Sequence, residues 1–382
     1  MSDKEALMFK AHNADLEGLA ISNRLRALSL RTGVDFASND YLGLAGSAAL
    51  RDAVAAALER GVPVGSGGAR LLRGNHPEHE ALEAEAAAWF GTQAALYFSS
   101  GYVANAALLA TLPQRGDLVV HDALIHASAH EGMKLGRAQV VSIAHNDVDA
   151  VETAIDRWRA GGGVGRVWIA VESLYSMDGD RAPLADLATL ADRHDAILLI
   201  DEAHATGVFG PGGRGLAAGL DVRPNVITLR TCGKALGCEG ALVCGDRTVI
   251  DFLINRGRGF IFSTAPSPLM AAAVRAALAL MQDEAPRDRL SHLTDLAGQL
   301  MADRLGVSRT GSQIVPVILG DDARTMAVAA ALQAKGYDVR GIRPPTVPVG
   351  TARLRISLTL NIGMAEVEAL VDELEPLLEA RL

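Results

Sequence analysis

From about residue 91 to residue 245 the chain repeats one pattern: a short, unbroken apolar run followed by a segment with helical spacing. The runs are "AALYF" (94–98), "DLVVH" (117–121), "RVWIAVE" (166–172), "AILLID" (196–201), "VITLR" (226–230) and "GALVCG" (240–245). Each is continuous rather than alternating, which fits strands buried on both faces of a mainly parallel sheet. Between them Val151, Ala154, Ile155 and Trp158 recur at helical spacing, as do Leu184, Leu187, Ala188 and Ala191. Repeated strand–helix–strand units predict an α/β fold with helices on both faces of the sheet. The glycines at 161–163 read as an exposed turn.

Near Pro266 the pattern changes. Two long helical stretches (265–284 and 288–306) precede "IVPVILG" (314–320), a helix over 322–335, "YDVRGI" (337–342), "ARLRISLTL" (352–360) and a last helix near 364–380. This predicts a smaller C-terminal α+β domain with an antiparallel sheet. The expected division is an N-terminal segment 1–40, a large domain 41–265 and a small domain 266–382.

Composition narrows the function. The chain has 382 residues, 49% of them hydrophobic, enough for two domains. Its net charge of -9, from 36 basic and 45 acidic residues, argues against a nucleic-acid partner and offers no polybasic membrane patch. Cys232, Cys238 and Cys244 are odd in number and lack CxxC spacing. Neither a disulfide framework nor a metal site is expected, and a reducing compartment is. The N-terminal stretch is polar without a signal-peptide core, and no run approaches the roughly 18 apolar residues of a membrane span. The expected location is the cytoplasm.

Four segments at the carboxyl ends of predicted strands carry polar residues, where open α/β sheets bind ligands. "SSGYVANAALL" places Ser99, Ser100 and Gly101 before an alanine- and leucine-rich helix. Such a turn exposes N–H groups and the positive helix end, an anion site, though it also reads as an ordinary strand-to-helix turn. "LIDEAHATG" puts Asp201 at the end of the most apolar run with His204 three residues on. A carboxylate there needs a cation or donors. "ESLYSMDGD" clusters Glu172, Ser173, Ser176 and Asp178, where turn chemistry already accounts for Asp178 and Gly179. "TCGKALG" sets Lys234 among Gly233, Ala235 and Gly237, leaving room for a flat ligand. A desolvated lysine beside other charges favours Schiff-base chemistry. An anion cradle, a buried carboxylate and a nucleophilic amine are what pyridoxal 5'-phosphate requires. A nucleotide enzyme is disfavoured, because no GxxxxGK[ST] or convincing GxGxxG is present.

With these residues in place, the chain resembles the α-oxoamine synthases, fold-type-I pyridoxal-phosphate enzymes that condense an amino acid with an acyl thioester and release CO2. The matching stretches run in family order from about Arg24. They include "FASNDYLGLA", "GSGGARLLRGNHPEHEALE", "IHASAHEG", "AHND", "ESLYSMDGDRAPL", "DEAHATGVFGPGGRG", "TCGKALGCEGALV", "FIFSTAPSP" and "RPPTVPVGTARLRISLT". The resemblance implies a C-acyltransferase with a seven-stranded-type sheet in a cofactor-binding large domain. The second and last of these stretches point to the branch that joins L-alanine to a pimeloyl thioester in biotin biosynthesis. Parts of them are shared with glycine-using branches, glycine C-acetyltransferase and 5-aminolevulinate synthase, and that alternative stays open.

The resemblance also assigns roles. It implies that Lys234 bonds to the cofactor and moves protons, that Asp201 pairs with the ring nitrogen, and that His204 bonds the ring hydroxyl. His126 is implied to stack on the ring, although by itself it reads as a helix-start residue. Gly101 and Tyr102 are implied to donate backbone N–H groups to the phosphate. Ser176 and Thr231 hold hydroxyl and phosphate, and Ser263 and Thr264 reach the phosphate of a neighbouring subunit, so a homodimer is implied. Arg355 binds the amino-acid carboxylate, Thr346 lines the acyl site, Asn39 and Tyr41 lie near the substrate entrance, and Arg24 meets the far acyl carboxylate or the carrier. Coenzyme A and acyl carrier protein both remain as the thioester carrier, the latter docking on a patch around Arg256 and Arg258. Two departures from the family stand out: the segment from Arg24 to Phe36 is short, and Cys232 sits where an aromatic or other apolar residue is common, which is expected to change packing rather than chemistry, with altered reactivity toward oxidants as the alternative.

Overall fold

The six apolar runs expected between residues 94 and 245 form strands, each within a residue of its expected ends, in a computed structural model that describes residues 8–380; the expected stretch 352–360 ends as a strand at Ser357, and 337–342 splits in two. The expected outermost parts, 1–7 and 381–382, lie outside the described residues. In chain order the strands are β1 (Val34–Asp35), β2 (Ala94–Phe98), β3 (Leu118–Asp122), β4 (Gln139–Ile143), β5 (Val167–Glu172), β6 (Ile197–Asp201), β7 (Val226–Thr231), β8 (Ala241–Gly245), β9 (Ile314–Gly320), β10 (Tyr337–Asp338), β11 (Arg340–Ile342) and β12 (Ala352–Ser357).

One sheet has seven strands in the order β2-β8-β7-β6-β5-β3-β4. From β4 through β7 neighbours are parallel. Strand β8 runs antiparallel to β2 and β7. Strand β4 was not expected. It is one of the two edge strands and, unlike the buried β2 at the other edge, it exposes Gln139, Val140 and Ser142, so it lacks a continuous apolar run.

Alternate residues of the central strands face opposite layers, as the two-residue period of a strand requires. Val119, Trp168, Ala170, Leu199 and Leu229 pack under helices Gly101–Thr111, Ala127–Leu135 and Arg247–Arg256. Val120, Ile169, Val171, Leu198 and Ile200 pack under helices Val148–Ala160 and Leu184–Arg193. Each fully buried Leu, Ile or Val contributes about 1.5–3 kcal/mol to this arrangement. On the first layer two helices meet closely at Gly132, where a β-carbon would stand 2.8 Å from the Ala106 carbonyl oxygen.

The chain divides into two compact units, one of residues 39–176 and 180–290, the other of residues up to 38, 177–179 and from 291 on. This division departs from the expected one at three places, of which residues 177–179, counted with the small unit, are the shortest. Helix Pro268–Leu280, expected in the small domain, belongs to the large unit. It packs on helices Ala48–Glu59 and Pro77–Phe90 and buries Ala271, Ala273, Val274 and Ala277 there. Its small residues permit that close approach. The N-terminal segment is not separate either. Strand β1 pairs in parallel with β10, and Phe36 is buried with Leu354 and Ile356 in the small unit's core. That unit's main sheet, β11-β12-β9, is antiparallel as expected.

Candidate active site

Strands β5, β6 and β7 end side by side in the large unit, at Glu172, Asp201 and Thr231. The turn after β7 closes with Gly237 N–H on the Lys234 carbonyl oxygen, 2.8 Å. Lys234 Nζ lies 2.8 Å from His204 Nε2. His204 Nδ1 is 2.6 Å from the Tyr41 hydroxyl, which donates to Asn39 Oδ1 at 3.0 Å. Tyr41 has one proton and gives it to Asn39. His204 therefore donates from Nδ1 and accepts from Lys234 at Nε2. Tyr41 is fully buried, so it stands behind His204 rather than at an open substrate entrance.

Asp201 is buried and held by two donors: Ala203 N–H at 2.9 Å and Asn105 Nδ2 at 2.6 Å. It forms no ion pair with any described residue. The nearby buried Arg230 is engaged elsewhere, with Asp221 at 2.7 Å and Glu202 at 3.5 Å, and lies over the Phe90 ring. Burial pushes the Glu202 carboxyl up to about 7 even against that guanidinium. Glu172, in register with Asp201, is buried too. Burial, reinforced by the Asp201 charge, drives its pKa well above the carboxylate range. Its Oε2 accepts the Ser176 N–H at 3.1 Å, while Oε1 has no partner among the described residues. Glu172 is thereby pushed toward its neutral form beside Asp201.

Helix Gly101–Thr111 starts at Ser100, whose hydroxyl accepts the Val103 N–H at 3.2 Å. Thr231 stands beside that start: a β-carbon on Gly101 would lie 3.6 Å from its Oγ1. Free first-turn N–H groups and a neighbouring hydroxyl make an anion cradle. Tyr102 is exposed, Ser176 is buried, and His126 caps helix Ala127–Leu135. Protein packed around the His126 ring holds its pKa below the usual imidazole value, and the Lys234 charge adds to this against Asp201. Ser263 is half-buried and Thr264 exposed. Ser263, Tyr102, Arg256, Arg258, Arg115 and Arg137 help line a cleft of about 1010 Å³.

Three expected residues belong to the small unit. Arg355 is buried in β12 and donates to Ser357 Oγ at 2.7 Å. Thr346 accepts from Arg26 at 3.5 Å. Arg24 is ion-paired to Asp322 at 2.7 Å, an engagement the sequence reading did not foresee.

The small residues around Lys234 have two different causes. Gly233 has room for a side chain: a built β-carbon would make only ordinary contacts, 3.6 Å from the Cys238 carbonyl oxygen and 3.8 Å from Thr231 Oγ1. Gly237 does not: its φ is +64°, and a β-carbon would meet Ala45 N at 2.5 Å. Room for a ligand therefore explains only part of the stretch, and packing of the chain on itself explains Gly237. Cys232 is buried in the core and its thiol is pushed well up by that burial, which favours the packing reading over reactivity toward oxidants.

The profile of the family "Aminotransferase class I and II" matches residues 31–374. The chain belongs to that family. Its curated relatives refine the branch. An 8-amino-7-oxononanoate synthase of Anaeromyxobacter dehalogenans (strain 2CP-1) is 47% identical over 353 residues, 91% of this chain and 87% of the relative. One of Anaeromyxobacter sp. (strain Fw109-5) is 46% identical and covers 98% of this chain and 94% of its own length. Among solved structures, Sphingomonas wittichii serine palmitoyltransferase superposes with a TM-score of 0.87 at 28% identity, covering 97% of each chain. An 8-amino-7-oxononanoate synthase from Francisella tularensis gives 0.76 at 26%, covering 91% of this chain and 98% of that one.

The aminotransferase-family cofactor, pyridoxal 5'-phosphate, fits the residues present. A buried carboxylate with no cationic partner suits a protonated ring nitrogen, the helix start suits a phosphate, and Lys234 suits an aldehyde. Sequence reasoning missed Asn105 and Ser128, which connect Asp201 to His126. The signal was available: Asn105 is the one polar side chain between Tyr102 and Thr111 in its helix.

Proposed function

We propose that this chain joins L-alanine to a pimeloyl thioester to give 8-amino-7-oxononanoate, CO2 and the free thiol, in biotin biosynthesis. The observation that carries it is near-full-length identity of 46–47% to 8-amino-7-oxononanoate synthases, together with Lys234, His204 and Asp201 grouped at the strand ends. When bound, pyridoxal 5'-phosphate supplies an aldehyde for the amine and a ring that takes up negative charge.

The chain's own residues have the remaining tasks. Lys234 holds the aldehyde, then removes the α-proton of alanine and later returns a proton to the product. His204 keeps the lysine nitrogen aimed by accepting its N–H, and Tyr41 keeps His204 in the tautomer that can do so. Asp201 keeps the ring nitrogen protonated, since a buried carboxylate gains most from a cation beside it. Glu172 stays neutral, so no second negative charge competes. Gly101, Tyr102 and Thr231 hold the phosphate, Ser176 and His204 the ring hydroxyl, and His126 covers the ring face. Ser263 and Thr264 serve the phosphate of a second copy, making a homodimer the active unit. Arg355 takes the alanine carboxylate as a bidentate pair. Thr346, Asn39 and Arg24 serve the acyl partner, with Arg24 first released from Asp322. Arg256 and Arg258 offer a basic patch to an acidic acyl carrier protein, and coenzyme A is the other carrier.

The test is product mass. Purified protein is given L-alanine, glycine or L-serine with pimeloyl, succinyl, acetyl or palmitoyl thioesters. Formation of 8-amino-7-oxononanoate only from L-alanine and the pimeloyl donor is the expected result. A glycine- or serine-derived product as the main one would move the chain to another condensing branch.

A further inference from the structure

Asn105 lies in the middle of helix Gly101–Thr111 and Ser128 near the start of helix Ala127–Leu135, and both are almost completely buried. Asn105 Nδ2 sits 2.6 Å from Asp201 Oδ2 and 3.1 Å from Ser128 Oγ. Ser128 Oγ is 2.8 Å from His126 Nδ1, and the Ser128 N–H also points to that nitrogen at 3.3 Å. Asn105 Oδ1 is buried without a partner among the described residues.

The directions of these bonds follow from the donors. Turning the Asn105 amide over would set its oxygen against the Asp201 carboxylate, so the nitrogen must face it. Its two N–H bonds then serve Asp201 and Ser128. The Ser128 oxygen accepts from Asn105 and has one proton left, which goes to His126 Nδ1. An Nδ1 that accepts twice carries no proton, so the His126 proton sits on Nε2. The unpartnered Oδ1 fits this account, because the site keeps both N–H bonds directed even though the carbonyl goes unused.

We propose that Asn105 and Ser128 are positioning residues for the condensation: Asn105 fixes the carboxylate of Asp201, and Ser128 holds His126 in its Nε2–H tautomer. This rests on the assignment of Asp201 and His126 to the cofactor. Neither new residue need touch the cofactor. Each acts through a partner, and the shared Asn105 nitrogen makes the orientation of one partner depend on the other.

The experiment compares wild type, Asn105→Ala, Ser128→Ala and Ser128→Thr, each reconstituted with pyridoxal 5'-phosphate. Cofactor dissociation constants come from visible absorbance, and side-chain 15N shifts report the His126 tautomer in the holoenzyme. In wild type Nδ1 should be unprotonated and Nε2 protonated. Asn105→Ala should raise the cofactor dissociation constant at least tenfold. Ser128→Ala should mix the two tautomers, and Ser128→Thr should restore the single one. Identical His126 shifts in wild type and Ser128→Ala overturn the role of Ser128, and an Asn105→Ala dissociation constant within twofold of wild type overturns that of Asn105. If Asn105→Ala is insoluble, Asn105→Leu, close to it in shape, takes its place with the same threshold. If both are insoluble, the wild-type tautomer decides, with a proton on His126 Nδ1 sinking the network. Wild type that binds no cofactor would instead sink the assignment of the site, and the tautomer comparison in the cofactor-free protein would still test the network.

Discussion

Lys234 Nζ and His204 Nε2 are 2.8 Å apart, and the other nitrogen of that imidazole is held by the buried Tyr41 hydroxyl at 2.6 Å. The lysine therefore does not hang freely in a crevice. Its nitrogen is aimed by a histidine whose own tautomer is set from behind. Lys234→Ala should abolish turnover. Tyr41→Phe should keep the fold but leave a buried imidazole N–H without its acceptor, a cost of about 1–3 kcal/mol. Its kcat should fall roughly tenfold, since about 1.4 kcal/mol corresponds to a factor of ten. Steady-state kinetics on both variants checks this, and a wild-type kcat in Tyr41→Phe would remove Tyr41 from the site.

Asp201 and Glu172 end neighbouring strands, and burial pushes Glu172 toward its neutral form. Asp201→Asn should bind the cofactor at least tenfold more weakly and turn over very slowly. Glu172→Gln should bind it within about threefold of wild type, because it replaces one neutral group by another. Stability supplies the sign. The folded-state pKa of Glu172 is raised above its ordinary 4.5. Its contribution is complete below that value and is lost as pH rises through the folded pKa. Glu172→Gln should therefore gain stability relative to wild type as pH rises. Urea midpoints at several pH values measure this, and a gap that shrinks as pH rises would contradict the neutral carboxyl.

Gly237 and Gly233 separate packing from ligand clearance. Gly237→Ala puts a side chain at φ +64° and against the Ala45 nitrogen. It should cost at least about 2 kcal/mol of stability even without cofactor, from backbone strain of about 1–3 kcal/mol plus the clash. Gly233→Ala makes only ordinary contacts, with the Cys238 carbonyl oxygen at 3.6 Å and Thr231 Oγ1 at 3.8 Å, and should leave the cofactor-free stability within about 0.5 kcal/mol. If the cofactor passes over Gly233, this second variant should bind it less tightly. Denaturation and cofactor titration of the pair distinguish the two causes.

The fold was largely legible because its strands are buried on both faces and announce themselves as unbroken apolar runs. Strand β4 escaped because an edge strand needs no such run. The domain boundary escaped because the alanine-rich surface of helix Pro268–Leu280 says only that it packs closely, not on which unit. At the site, Lys234, Asp201 and His204 were legible because charge at the end of an apolar strand is costly without a purpose. Asn105 and Ser128 were not, because their value lies in which atoms they join across 23 positions of sequence. Gly237 was misread for a related reason: a sequence shows that room is needed but not what fills it.

Arg355 is expected to act on the amino acid alone. It is buried in β12 and bonded to Ser357 Oγ, so its guanidinium is oriented in advance. Arg355→Lys keeps the charge but loses the two-pronged geometry that matches a carboxylate. The KM for L-alanine should rise at least tenfold while the cofactor dissociation constant stays within twofold. An unchanged KM for L-alanine would assign the carboxylate to another cation.

His145 gives the large unit a pH-sensitive clamp. Its Nδ1 is 2.9 Å from Asp122 Oδ1 and its Nε2 2.7 Å from Asp180 Oδ2, with the Tyr175 ring edge-on at 4.4 Å. Burial opposes the imidazolium, but the bonds to Asp122 and Asp180 outweigh it and push the pKa up to about 10. The folded value lies above the ordinary 6.5. The stabilisation is therefore complete below pH 6.5 and fades as pH rises toward 10. Asp122 works in the opposite direction: burial raises its pKa, the bonds from His145, Asn146 and Leu124 lower it further, and the net shift is downward. Its contribution is present above 3.8 and is lost as pH falls. Wild-type stability should thus decline from pH 6.5 to 10, and His145→Gln should flatten that decline by removing the charge change. Urea midpoints of both proteins at pH 6 and pH 9.5 provide the check. If the wild-type midpoint falls no further than that of His145→Gln, the clamp contributes nothing to the pH dependence. A larger wild-type fall assigns the slope to the proton on His145 and leaves Lys234 out of it.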